Sequence, residues 1–183
     1  MKKTSHLLWI SLVMAFSMPF WVVGQDTNVA TNAVTLTVNG SALLAIATGN
    51  VSLSLSGATQ AGAAIQTVAS DSTTRLRISS LVDGSSQRTI TAALSAQPVG
   101  TELLVSVKAP GTSFYAPENQ GTLLSDVNLT TSAQNIITGI GTCWSGTGTN
   151  DGYVIKYTYR LKEGAINLVS SNVTVTYTLT AAI

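Results

Sequence analysis

The sequence predicts an all-β chain, folded as an antiparallel β-sandwich of about eight to ten short strands in an Ig-like or pilin-like layout. Three observations predict it. Apolar residues come in short runs that alternate with Thr and Ser, the period of a strand with one buried face. Asn-Gly, Ser-Gly, Asp-Gly and Pro-Gly pairs punctuate those runs. No long window combines helical spacing with helix-favouring composition; Ser41–Ala47, "SALLAIA", comes nearest and is short.

Taken in order, Val34-Thr35-Leu36-Thr37-Val38 alternates and ends at Asn39-Gly40, a dipeptide suited to a tight hairpin turn. Val51 to Leu55 alternates and ends at Ser56-Gly57. Arg75 to Ile78 alternates charge with apolar residues before the turn signal Asp83-Gly84. Thr89 to Ser95 sets Ile90, Ala92 and Leu94 on one face, and Leu103, Val105 and Val107 alternate before Ala109-Pro110-Gly111. Val127 to Leu129 and Ile136 to Ile140 are shorter and less regular. Tyr153 to Leu161 puts Tyr153, Ile155, Tyr157, Tyr159 and Leu161 on one face and Val154, Lys156, Thr158 and Arg160 on the other. Val173 to Thr180 alternates without a fault. A membrane barrel also alternates, but its strands run to about 9–11 residues with aromatic girdles, and most runs here are too short and too poor in aromatics.

Residues 1–24 are expected to be a secretory signal peptide. Lys2 and Lys3 precede an uncharged apolar run from Leu7 to Val23, and Val22-Val23-Gly24 supplies a small-residue cleavage site before polar Gln25. Residues 25–183 then form a single β-sandwich domain, long enough to bury a core. No other stretch approaches membrane length, so no transmembrane segment is expected after cleavage, and the location is secreted, periplasmic or cell-surface.

Cleavage removes His6 and leaves the domain without histidine. Seven basic residues then face eight acidic ones, a net charge of −1 and no electrostatic footprint for nucleic acid. Ser-His-Asp and Cys-His catalysis cannot be built, and zinc or copper loses its commonest ligand. No phosphate-binding glycine loop is present. The acids are scattered in turn-like contexts, which argues against a paired-carboxylate hydrolase. Asn150 and Asp151 with neighbouring carbonyls offer oxygen ligands for calcium but lack the alternating acids of a calcium loop. No cofactor, no metal and no catalytic residue is therefore expected. The Asn-x-Ser/Thr triplets at Asn39, Asn50, Asn128 and Asn172 are what Thr- and Ser-rich strands produce by chance.

Residues 141–153, "GTCWSGTGTNDGY", carry the only Cys and the only Trp outside the first 21 residues. An unpaired Cys143 is either a buried small hydrophobe or the source of an intermolecular disulfide. Asn150-Asp151-Gly152 before an alternating strand is turn chemistry, with Trp144 as a hydrophobic plug at the sandwich end beside Cys143. The alternative is a ligand-binding loop in which Trp144, Asn150, Asp151 and Tyr153 meet a sugar.

The stretches "TLTVNGSALLAI", "SAQNIITGIGTCWSGTGTNDGYVIKYTYRL" and "NVTVTYTLTA" resemble exported, uncharacterised β-sandwich proteins of Bacteroidetes-type bacteria. They are more loosely similar to fimbrial-type surface subunits, whose chains also finish in an alternating Thr/Val/Tyr strand. The resemblance implies no catalytic residues. The functional expectation is a non-enzymatic structural or adhesive protein, a surface or fimbria-like subunit acting through its C-terminal strand. There Val173, Val175, Tyr177 and Leu179 fill a groove while the backbone completes a sheet, its own or a neighbour's. Expected partners are other protein subunits or surface glycans, with a homo-oligomer among the outcomes; a carbohydrate- or ligand-binding module around Trp144, Asp151 and Tyr153 is the second expectation.

Overall fold

One long strand organises the molecule. In the computed structural model, which describes residues 32–110, 113–181 and 183, β2 runs from Val68 to Leu81 and is the longest element. The expected signal peptide, residues 1–24, lies outside the described residues. Before β2 comes β1 (Ser41–Ile46); after it come β3 (Arg88–Leu94), β4 (Thr101–Lys108), β5 (Thr122–Leu123), β6 (Val127–Asn128), β7 (Gln134–Ile140), β8 (Cys143–Trp144), β9 (Tyr153–Leu161) and β10 (Val175–Leu179). The fold is all-β, an antiparallel sandwich of two sheets. The six-stranded sheet has the order β1-β2-β9-β4-β6, with β8 also paired to β2; the four-stranded sheet has the order β10-β3-β7-β5.

The alternation read along the chain becomes the core between these sheets. Leu76 and Ile78 of β2, Ile90, Ala92 and Leu94 of β3, Leu103, Val105 and Val107 of β4, and Tyr153, Ile155 and Tyr157 of β9 point inward and are buried. Period-2 side-chain direction makes this outcome automatic once one face of each strand is covered. Ile136, Ile137 and Ile140 of β7 join them with Phe114, Leu129 and Cys143. On the wet side of β9, Arg160 sits opposite Glu102 of β4, and Nε donates to Oε1 at 2.5 Å.

Three register shifts interrupt the ladders, one along β2 and two along β7. Between Asp71 and Thr74, β2 carries one more residue than β9 opposite it. Asp71 Oδ1 holds that bulge by accepting from the Thr73 backbone N–H at 2.9 Å and from its hydroxyl at 2.8 Å. In β7 one extra residue falls between Asn135 and Ile137 and another between Ile137 and Ile140, where Gly139 adopts φ +72. A side chain there would be strained, so glycine is what permits the kink.

The N-terminal elements depart from expectation. Ser41–Ile46, with the composition nearest to a helix, is β1 and pairs antiparallel with Leu76–Leu81 of β2. Val34–Val38, with the cleaner strand alternation, makes no backbone hydrogen bond among the described residues and is exposed. Asn39-Gly40 therefore does not close a hairpin. Val51–Leu55 keeps its alternating exposure and rests Val51 and Leu53 on the core, yet it joins no ladder. A period-2 pattern offers a strand face; pairing depends on which edge is within reach.

Candidate functional site

Two places qualify, the loop that carries Cys143 and Trp144 and the edge formed by the terminal strand. The loop is tied down by short-range chemistry. Cys143 and Trp144 form β8 and pair with Ser80 and Ser79 of β2. Ser145, almost fully buried, continues that attachment. Its backbone N–H donates to the Ile78 carbonyl at 3.0 Å, and its Oγ accepts the Ile78 N–H at 3.0 Å. Arg77 Nη1 donates to the Thr147 carbonyl. Asp151 closes the turn on itself, with Oδ2 accepting the Gly148 N–H at 2.7 Å and its own N–H donating to the Gly148 carbonyl at 3.0 Å. Gly152, at φ +106, then turns the chain into β9; a Cβ there would lie 2.5 Å from the Leu76 carbonyl oxygen.

Cys143 is fully buried and unpaired, and burial pushes its thiol up to about 11. A thiol so placed yields little thiolate at neutral pH, the form that attacks disulfides and ligates metals. Trp144 differs from the expected buried plug. It is 45% exposed and stacks face to face on Tyr115, itself 54% exposed, with ring centroids 3.6 Å apart and planes 8° from parallel. The Tyr115 N–H donates to the Trp144 carbonyl at 2.9 Å, so the backbone sets the stack. Tyr115 lies far from Trp144 in a stretch without periodicity, and no signal in the chain marked it as the partner. A shallow depression of about 220 Å³ beside the pair is lined by Ser41, Leu81, Thr142 and Cys143.

The four residues named for a ligand site do not share one surface. Asn150 is exposed and Asp151 half-buried in the turn, but Tyr153 is fully buried, where its ring meets Phe114 at 5.4 Å in a tilted pair. The Tyr153 hydroxyl donates to the Gln120 carbonyl at 2.7 Å. Burial, with the Cys143 thiol next, raises its pKa well above the ordinary tyrosine value. Its place on the inward face of β9 explains this. The first residue of an alternating strand follows the parity of the strand rather than the chemistry of the loop before it.

The terminal strand sits where its alternation directed it. β10 pairs antiparallel with β3, Val175 against Leu94 through Leu179 against Ile90. Val173, Val175, Tyr177 and Leu179 pack on the core, all half-buried, while Thr176 and Thr178 face solvent. The Tyr177 hydroxyl meets that of Tyr157, 2.6 Å away on β9, so one hydrogen bond joins the two sheets through the middle of β10. Burial raises both phenol pKa values; for Tyr177 the neighbouring Tyr157 adds to the rise. At the strand end, Arg88 Nη1 donates to the Thr180 carbonyl at 3.1 Å and Nη2 to the Leu81 carbonyl at 3.4 Å. β10 is the last strand in its sheet, with no strand paired beyond it among the described residues.

Among the described residues no three His, Cys, Asp or Glu side chains gather as a metal site, and no helix is long and apolar enough to cross a membrane. No family model, curated protein or solved structure matches the chain.

Proposed function

We propose that the chain is an exported, non-enzymatic structural or adhesive subunit that works by presenting sheet edges to other protein subunits, in the periplasm or at the cell surface. The observation that carries this reading is the terminal strand. β10 is tied to its own domain through β3 and the Tyr157 hydroxyl, yet among the described residues it leaves one long edge unpaired and its apolar face half-covered. A backbone edge of that kind is a ready template for another strand, and proteins that do not use such edges blunt them. Cys143 belongs to the packing in this reading, since its buried thiol offers nothing to a neighbouring chain. Size-exclusion chromatography with light scattering on the mature chain tests the proposal, together with immunolabelling of intact cells. Concentration-dependent oligomers and surface label support it. A chain that stays monomeric at high concentration and remains cytoplasmic overturns it.

A second reading has one observation in its favour. The stacked Tyr115–Trp144 pair is half-exposed, and an exposed aromatic face can take the apolar side of a sugar ring, which would make the loop a surface-glycan site. Glycan-array binding that is lost in both Trp144→Ala and Tyr115→Ala supports it; an array without hits, or hits that survive both substitutions, sinks it.

A further inference from the structure

The two sides of the sandwich are finished differently. One side ends in β5 and β6, edge strands of two residues each, beside the fully buried Leu129. The other side is formed by β1 and β10, which lie against each other and carry the long edges of the two sheets, six and five residues. Along that side Leu44, Val51, Leu53, Val173, Val175 and Leu179 touch the core but are only half-covered. The β5 and β6 side has only Leu123 and Val127 half-covered in this way, so the longer run of incompletely covered apolar side chains lies along β1 and β10.

Charge distribution separates the same two sides. No charged residue occurs between Asp26 and Asp71, and none after Glu163. Those are the stretches that supply β1, Val51–Leu55 and β10. Exposed edges that must stay single are commonly guarded by Lys, inward-pointing charges or proline, and this one carries no such guard.

The uncharged stretch also holds a strand without a sheet. Val34, Leu36 and Val38 are 69%, 88% and 52% exposed, and they alternate with Thr35 and Thr37 in a segment that bonds to no other described backbone. Its five residues equal β10 in length, and its apolar parity is that of Val175, Tyr177 and Leu179. Every ladder in the structure is antiparallel. We infer that Val34–Val38 of one copy adds as an antiparallel strand to the free edge of β10 in a second copy, with Leu36 opposite Tyr177. Val34 then faces Leu179, Val38 faces Val175, and the three side chains cover the open seam. Donor and acceptor are different parts of the chain, so the contact is head-to-tail; repeated without closure it builds a filament.

The inference rests on the reading of the chain as a sheet-completing subunit, and the test separates the two. Thr35→Cys and Thr178→Cys, each at a solvent-facing position, are made as separate single variants of the full mature chain, mixed, oxidised and run on a non-reducing gel. The expected result is a covalent dimer in the mixture that neither variant gives alone. It is lost when Leu36→Asp is added to the donor, a change that leaves the monomer folded because Leu36 is exposed. Oligomers by light scattering with no cross-linked dimer overturn the inference while sparing the broader reading. Monomer throughout overturns both. A chain bearing both cysteines that closes on itself as a monomer also overturns the inference, because the segment would then complete its own sheet.

Discussion

Removing the Tyr177 hydroxyl tests how the terminal strand is held. In Tyr177→Phe the ring still fills its place on the inward face of β10, but the Tyr157 hydroxyl loses its partner at 2.6 Å. Tyr157 is only 8% exposed, so water does not replace the lost bond. An orphaned buried hydroxyl costs about 1–3 kcal/mol. The buried Thr74 hydroxyl beside Tyr157 can take up part of that, which places the expected loss at about 1–2 kcal/mol. In a chain of this size that is a fall in Tm of roughly 2–8 °C. Tyr157→Phe leaves Tyr177 as the orphan instead. The Tyr177 hydroxyl lies in the same buried junction, so the loss is again about 1–2 kcal/mol. The double variant removes both groups together and should lose less than the sum, with a coupling of about 1 kcal/mol. Urea unfolding of the four proteins, compared at equal m, measures this. Additive single losses refute the reasoning.

The same tyrosines set an alkaline limit. Tyr153, Tyr157 and Tyr177 all have folded pKa values above the ordinary tyrosine value of about 10, chiefly through burial. Groups raised on folding contribute stability that is complete below the unfolded pKa and lost as pH rises through the folded one. Urea midpoints should therefore show no tyrosine-linked change up to pH about 10 and fall beyond it, and Tyr177→Phe should soften that fall. Gly152→Ala forces a methyl against the Leu76 carbonyl at positive φ, and thermal melts should show a loss of more than about 2 kcal/mol. Cys143 should resist a thiol reagent in the native protein at pH 8 and react fully in urea; fast native labelling would contradict its burial. Glu102→Gln should change stability by no more than about 1 kcal/mol, because its partner Arg160 is solvent-exposed, and added salt should shrink the effect.

How legible the fold was depended on whether a segment's neighbours were implied by its own pattern. β3, β4, β9 and β10 were readable because each turns one apolar face toward the core, and that packing prints period 2 into the residues themselves. β1 was not. Ser41–Ile46 shows no strand alternation, and it is a strand because Leu76–Leu81 of β2 offers it a free edge. Val34–Val38 fails in the opposite sense, with a faultless pattern and no ladder. The Cys143-Trp144 stretch was half legible. Cys143 is buried, whereas its isolation had left a buried small hydrophobe and an intermolecular disulfide both open, and the stacking of Trp144 on Tyr115 is a contact made across loops that carry no period to read.

The mismatch at the N-terminal stretch and the unguarded edge of β10 constrain each other. An alternating segment stabilises nothing unless its apolar parity is covered, and with Leu36 88% exposed that benefit is absent in the isolated chain. An uncharged edge five residues long invites association with whatever strand it meets. Either feature alone would be a liability for a protein that functions as a monomer. Together, in one chain and with equal length and parity, each removes the other's cost once two copies meet. If that coupling is real, Leu36→Asp should leave the monomer's melting temperature unchanged and raise its solubility, while abolishing assembly. A variant that melts early would place Leu36 inside its own domain's core and dissolve the argument.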